Sequence, residues 1–340
     1  MKWGADLHVI GLDKPERIEG VPWDGGVIDE VADLQDSNAW HAHIRPALSD
    51  RNGWAWLIGV PDMESPSQIA YDRLFNFARM NLVTAGGEWD TFNWPMADIQ
   101  SAAEVESLRQ SLPPELFRQE CFGEIILASG RAFPDWDERI HVWSDAAKAA
   151  TEYDPGLPIC LSCDFNVSPL CFGVIQHDHQ GVIRVIDEIA IDGTIGARGI
   201  DVFLDRAKEK GWNLNNLTLY GDSTGHGRKT CAEQAGFTDW IIVRNKLKDI
   251  PHGFRVPPSN PGLADTRNAV NAKLRSAAGN VTMYVSKRCR ILIDNLQSAL
   301  WPSPDDWRPL HALAWLRYFT NYEYPIRNIR SMPAGPIAVL

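Results

Sequence analysis

Apolar and polar positions along the chain change their period several times, and each change predicts an element. Near the start, "GGVIDEVADL" (25–34) reads as a short strand ending in Asp29 and Glu30, and "GWAWLIGVP" (53–61) as a second strand stopped by Pro61. Between them, "NAWHAHIRPALSD" spaces Trp40, Ile44 and Leu48 as one face of a helix. Strand, helix, strand in that order predicts a parallel α/β unit. "PPELFRQECFGEII" predicts another helix, with its prolines at the start.

The character changes after Phe133. Charged, helical "SDAAKAATEY" and then "DPGLP" mark a boundary, so we expect a first domain over 1–135, a linker over 136–157, a second domain over 158–330 and a tail over 331–340. The second domain opens on "PICLSCDF", "LCFGVIQ" and "VIRVIDEIAI", joined by turn-rich "NVSP" and "HDHQG". That pattern predicts an antiparallel meander. A helix follows, "IDVFLDRAKEKGW", with Val202, Phe203 and Ala207 on one side, then a fourth strand, "NLTLYGD", and a fifth, "DWIIVR". "TRNAVNAKLRSA", "KRCRILIDNLQSAL" and "LHALAWLRYFTNY" read as helices. Three antiparallel strands, a helix and a strand ending in Asp is the RNase H-like order.

Composition adds limits. A chain of 340 residues suffices for about two domains. Its formal charge of -11 argues against a protein coated in nucleic acid, but residues 222–290 hold 12 Lys/Arg against 5 Asp/Glu. That stretch is either a nucleic-acid footprint or a solvated basic surface. The CxxC pair Cys160 and Cys163 has no second pair and sits in an apolar run, so buried thiols are expected rather than zinc ligands. Packing is the expected role of most of the 14 tryptophans. The sequence has no signal peptide and no apolar run near 18 residues, so a cytosolic, reduced protein without membrane contact is expected.

The chemistry centres on strand ends. Asp164 closes the first strand of the meander and Asp222 the fourth. Should those strands lie side by side, the two carboxylates meet at one edge. Hard divalent cations take such oxygen ligands, and a pair of them can activate water and steady the leaving oxygen of a phosphodiester. The alternative is that each aspartate only caps a strand or turn. Glu188 is a further ligand candidate; alternation puts it on the face opposite Asp187, so only one of the two faces the site. "TLYGDSTGHGRKT" looks like a phosphate loop but fails on spacing: five residues before Gly227 stands Asp222, and Arg228 replaces the required lysine. His226, Arg228 and Lys229 then form a loop near phosphate or plain surface charge. Arg244 and Lys246, in the same basic stretch, are further candidates for DNA contact.

Taken in order, "CDFNVSPLCFGVIQ", "IDEIAI", "LYGDSTGHGR", "DWIIVRN", "VPPSNPGLADTRNAVNAKL", "CRILIDNL" and "LHALAWLRYFTNYEYP" resemble the nuclease domain of the large terminase subunit of tailed bacteriophages. "GLDKPERIEGVPWDGGVIDEVADL", "IRPALSDRNGWAWLIGVPD" and "LPPELFRQECFGEI" resemble that family's ATPase domain. The resemblance covers nearly the whole chain. It implies a partial parallel-sheet ATPase domain followed by an RNase H-like α/β nuclease domain with a mixed central sheet. It implies Asp29 for the Mg²⁺ shell and Glu30 to activate water, as a Walker B pair. It implies Asp164 and Asp222 as metal ligands of an endonuclease that cuts concatemeric phage DNA with two Mg²⁺ or Mn²⁺ ions. The implied partners are double-stranded phage DNA, a portal ring and a small terminase subunit, in the host cytoplasm at the procapsid portal.

The sequence departs from that family twice. The phosphate loop carried upstream of the Walker B strand is absent from these residues, so ATP is not an expected cofactor and no ATPase activity is expected from this chain alone. A complementing N-terminal ATPase chain is a further implied partner. Val60 also stands where the family often has Thr or Ser. The closing helix should carry a third acidic ligand three residues after a histidine, and in the frame His311-Ala312-Leu313-Ala314 that place holds alanine. Three accounts stay open: deliberate substitution, natural degeneracy, or a stand-in from Asp305, Asp306 or His311. The leading expectation is therefore a DNA endonuclease. The alternative is a silenced or degenerate packaging module that binds DNA or portal without cutting. A resolvase or transposase is disfavoured by the ATPase-like first half.

Overall fold

Contacts divide the chain into two units in the computed structural model, one of residues 1–105 and 115–128, the other of 106–114 and 129–340. The structure describes residues 4, 6–36, 38–62, 68–84, 89–126, 130–165, 169–192, 196–223, 238–301 and 310–326.

In the first unit, β1 (Gly25–Ile28) pairs in parallel with β2 (Trp54–Leu57), Gly25 opposite Trp54 and Ile28 opposite Leu57. A π-turn over Trp40–Ile44 runs into α1 (Arg45–Ser49), and Trp40, Ile44 and Leu48 are buried against Ile28 and Val31, as their spacing predicts. β2 is shorter than expected, ending four residues before Pro61. Helix α2 (Gln68–Thr84) follows, α3 (Ala102–Ser111) starts in this unit and ends among the residues of the second, and α4 (Pro114–Phe122) stands where the sequence predicts it. The outer face of the strand pair carries Val27, Trp54 and Trp56, which are 58%, 56% and 64% exposed, so these two tryptophans depart from the packing expectation.

Besides residues 106–114, the second unit holds β3 (Gly130–Arg131), α5 (Glu138–His141) and α6 (Asp145–Ala150). The last two lie in the stretch expected as a linker, 136–157. Here Trp136, Val142 and Ala147 are buried, and the fully buried His141 brings Nε2 within 3.1 Å of the Leu274 carbonyl. The meander follows as β4 (Cys160–Asp164), β5 (Leu170–His177) and β6 (Ile183–Ile191), antiparallel throughout. Then come α7 (Gly196–Lys210), β7 (Leu217–Gly221), α8 (Asp239–Lys246), β8 (His252–Arg255), α9 (Leu263–Leu274), β9 (Met283–Val285), α10 (Arg290–Ser298), β10 (Leu300–Trp301) and α11 (His311–Glu323). The sheet order is β8-β7-β4-β5-β6-β9, with β7 parallel to β4 and β8 parallel to β7. Read outward from β6, this is the RNase H-like order expected from the sequence.

One element is corrected. "DWIIVR" is the helix α8, and the fifth strand is β8, further on. The adjacent β-branched residues suggest a strand. However, Thr238 caps the segment, its Oγ1 accepting from Ile241 N at 3.3 Å, while Trp240, Val243 and Leu247 are buried at helical spacing.

Both faces of the sheet are covered. α7 packs its buried Ile200, Phe203 and Ala207 against β5 and β6, while α11 lies over β4, β5 and β7. The seat of α11 is specific: Ser162 Oγ donates to the Trp315 carbonyl at 2.7 Å, and the Trp315 ring fills the space over Gly173. Cys160, Cys163, Cys171 and Cys289 are buried thiols in this unit, and burial pushes Cys160 up to about 12. No helix among the described residues is long and apolar enough to cross a membrane.

The same layer holds a half-buried lysine with a testable pH signature. Lys273 of α9 donates to the Gly181 carbonyl at 3.0 Å and lies 3.5 Å from the Tyr324 ring centroid. Burial pulls its ammonium down to about 8, with Asp178 opposing. Below pH 8 the folded and unfolded states both hold the proton, and the cost of the buried charge is fully present. Between about pH 8 and 10.5 only the unfolded state keeps it, so stability rises with pH across that window. Urea melts at pH 7.5 and 9.5 should show the rise, and Lys273→Met should flatten it; an unchanged slope in that variant would remove Lys273 as its source.

Candidate functional site

The two aspartates predicted from strand ends are brought together by the register. β4 and β7 run in parallel with Cys163 opposite Gly221, so the next positions, Asp164 and Asp222, leave neighbouring strands side by side. Gly221 makes this approach feasible. Its φ is 150°, and a Cβ there would lie 2.3 Å from the Cys163 carbonyl oxygen. The glycine next to Asp222 thus serves strand contact, not a phosphate cradle.

Each carboxylate is held from a different element. Asp164 is 4% exposed, and His311 at the start of α11 brings Nδ1 to 3.4 Å from its Oδ2. Asp222 Oδ1 accepts from Asn260 Nδ2 at 2.7 Å, and Asn260 Oδ1 in turn accepts from the amide and hydroxyl of Ser223 at 2.9 and 2.8 Å. Trp240 Nε1 donates to the Asp222 carbonyl at 2.9 Å, which ties the strand exit to α8. From α11, burial and then the charges of Asp222 and Asp164 push the Tyr318 phenol well above its ordinary range, so its proton is retained. Burial lowers Arg317 from the usual arginine range, opposed by the charges of Tyr318 and Asp164.

Of the other predicted residues, those the structure describes have these partners. Glu188 and Asp187 do face opposite sides of β6, as alternation requires. Glu188 accepts from Ile291 N at 2.8 Å and Leu292 N at 3.0 Å, capping α10, and burial raises its carboxyl. Asp187 pairs with Arg206 and Lys210 of α7 at 3.1 and 3.2 Å. Lys246 pairs with Asp201 at 2.8 Å, and Arg244 lies 5.4 Å from the Phe254 ring centroid. His226, Arg228, Lys229, Asp305 and Asp306 fall outside the described residues. In the first unit, Asp29 follows β1 and its Oδ1 accepts from Glu30 N at 3.1 Å; Glu30 is left-handed, with φ 48°. Asn260, Thr266, Arg317 and Tyr318 went unnoticed in the sequence. For Arg317 and Tyr318 a signal existed: they stand three and four residues after Ala314, on the same helical face.

Two carboxylates at adjoining strand ends, one steadied by an amide, suit the oxygen preference of a hard divalent cation. Among the described residues no group of three or more His, Cys, Asp or Glu comes together as a larger ligand set.

No family model matches the chain, and no curated protein matches it. Solved structures do. The large terminase of the thermophilic bacteriophage D6E in complex with ATP-γ-S superposes with a TM-score of 0.56 at 16% identity, over 89% of this chain and 71% of that one. The same terminase in complex with ADP gives 0.55 at 16% identity, over 91% and 71%. Over about nine-tenths of its length, therefore, this chain has the fold of that large terminase.

Proposed function

From the fold of a large terminase, we propose that the second unit is a divalent-cation-dependent DNA endonuclease whose working carboxylates are Asp164 and Asp222. The observation that carries this reading is their meeting at the ends of adjacent parallel strands, β4 and β7. Mg²⁺ or Mn²⁺ held by these two would polarise a phosphodiester and lower the pKa of attacking water. The chain's own groups do the rest. Asn260 fixes the rotamer of Asp222, His311 stands against Asp164, and the protonated Tyr318 hydroxyl is a donor for a phosphate oxygen. Arg244 and the basic stretch around it, with His226, Arg228 and Lys229, are read as contacts to the backbone of double-stranded phage DNA. In this reading the chain works with a portal ring and a small terminase subunit at the procapsid, and Asp29 and Glu30 serve a magnesium nucleotide.

A second reading is favoured by one residue. Ala314 carries no ligand where the resemblance implies a carboxylate, which suits a packaging module that binds DNA without cutting it. Supercoiled plasmid with Mn²⁺ separates the two. Nicked and linear products are expected. No product at micromolar protein, with binding that weakens steeply as salt rises, would favour the non-cutting module instead.

A further inference from the structure

Helix α11 is anchored from within the fold along most of its length. Ser162 Oγ holds the Trp315 carbonyl, and Arg317 Nη1 donates to Thr266 Oγ1 of α9 at 2.9 Å. The last residue of the helix, Glu323, is held differently. Its Oε1 accepts from Arg255 Nη1 at 2.5 Å and from the Tyr220 hydroxyl at 2.7 Å. The Glu323 side chain is 13% exposed, but that of Arg255 is 48% exposed. An ion pair so open on one side contributes little to stability.

Register sets this pair beside the two aspartates. Ser162, Tyr220 and Arg255 stand at one position across β4, β7 and β8, and β8 is the outermost strand on that side of the sheet. All three turn to the side covered by α11, where they bond to Trp315 and Glu323. Two residues after Ser162, Asp164 meets His311 of the same helix, and Asp222 follows Tyr220 by the same step. With strands ~4.8 Å apart and ~3.3 Å per residue, the backbone of Arg255 stands about 8 Å from that of Asp222. Phosphates of one DNA strand advance ~3.4 Å along the duplex axis. A backbone held at the aspartates therefore carries a neighbouring phosphate past Arg255. A guanidinium offers the same fork of donors to a phosphate as to a carboxylate. Glu323 keeps the Tyr220 hydroxyl as a donor when the guanidinium leaves, and α11 keeps its other anchors.

We infer that Arg255 is a DNA-binding residue held in reserve: its guanidinium rests on Glu323 in the free protein and moves to a backbone phosphate, next to the one at Asp164 and Asp222, when a duplex binds. The inference rests on the nuclease reading and adds to it one substrate contact and the carboxylate that competes for it.

Fluorescence anisotropy of a labelled DNA duplex, in EDTA and over a range of salt, tests this without any turnover. R255M is expected to bind about fivefold more weakly than wild type, with a log–log salt slope shallower by about one. E323Q should bind about threefold more tightly, because the guanidinium is no longer occupied. In R255M/E323Q that gain should vanish. Weaker binding by both single variants would make the pair a structural clasp and overturn the inference. A gain from E323Q that survives in R255M/E323Q would overturn it too, since it would reflect only one negative charge fewer near DNA. Wild-type affinity in both single variants would overturn it while leaving the nuclease reading intact. No duplex binding by the wild type at low salt would overturn both. Thermal melts accompany each variant, and R255Q replaces R255M in both arms should the latter not fold.

Discussion

Asp164→Asn is expected to lower plasmid nicking about 10³-fold while leaving the fold intact. The substitution keeps the shape of a side chain that is 4% exposed and keeps an oxygen for the His311 ring. What it removes is negative charge where the proposed cation would sit. Metal ligation supplies several kcal/mol of transition-state stabilisation, and each ~1.4 kcal/mol is tenfold in rate. Asp222→Asn should fall in the same range, since Asn260 would be left facing an amide in place of a carboxylate. Initial nicking rates in Mn²⁺, taken beside thermal melts, read the result. Nicking by Asp164→Asn within tenfold of wild type would place the activity outside this site.

The second large effect concerns stability and comes from a position with no side chain. Gly173→Ala is expected to destabilise the second unit by about 3 kcal/mol, the upper part of the usual range for overpacking. A Cβ at 173 would lie 2.2 Å from Cε3 and Cζ3 of Trp315, a fully buried ring on the helix that covers the site. The ring cannot retreat without disturbing the bond from Ser162 to the Trp315 carbonyl, and α11 would move with it. A double-mutant cycle with Trp315→Leu isolates the cause. The two changes should be less costly together than their sum, because the smaller side chain makes room for the methyl. Strict additivity in urea melts would show that the methyl meets something else.

Much of this was readable from the chain because strand periodicity and turn residues are local signals. The meander of β4, β5 and β6 is marked by apolar runs and by "NVSP" and "HDHQG", and the placement of Asp164 and Asp222 at strand ends follows directly. What stayed hidden depends on tertiary partners. "DWIIVR" looks like a strand until Thr238 caps it and Trp240 packs between Phe165 and Phe254. Nothing local to Glu188 shows that the amides of Ile291 and Leu292, over a hundred residues later, bond both its oxygens. Residues 136–157 look like a linker because their buried side chains are few and separated, and His141 finds its partner only at the end of α9. Asn260 lies in a proline-rich loop that gives no hint of Asp222.

The placement of α11 also has a consequence for the order in which a ribosome makes this protein. Ser162 and Trp315 are 153 residues apart in the chain, and His311 is nearly as far from Asp164. A nascent chain can emerge with β4 to β7 complete and both aspartates in register, while the helix that covers Gly173 and brings His311 and Arg317 is still unmade. On the nuclease reading, competence would therefore wait until α11 has left the exit tunnel, and a product terminated before it would carry both carboxylates without His311.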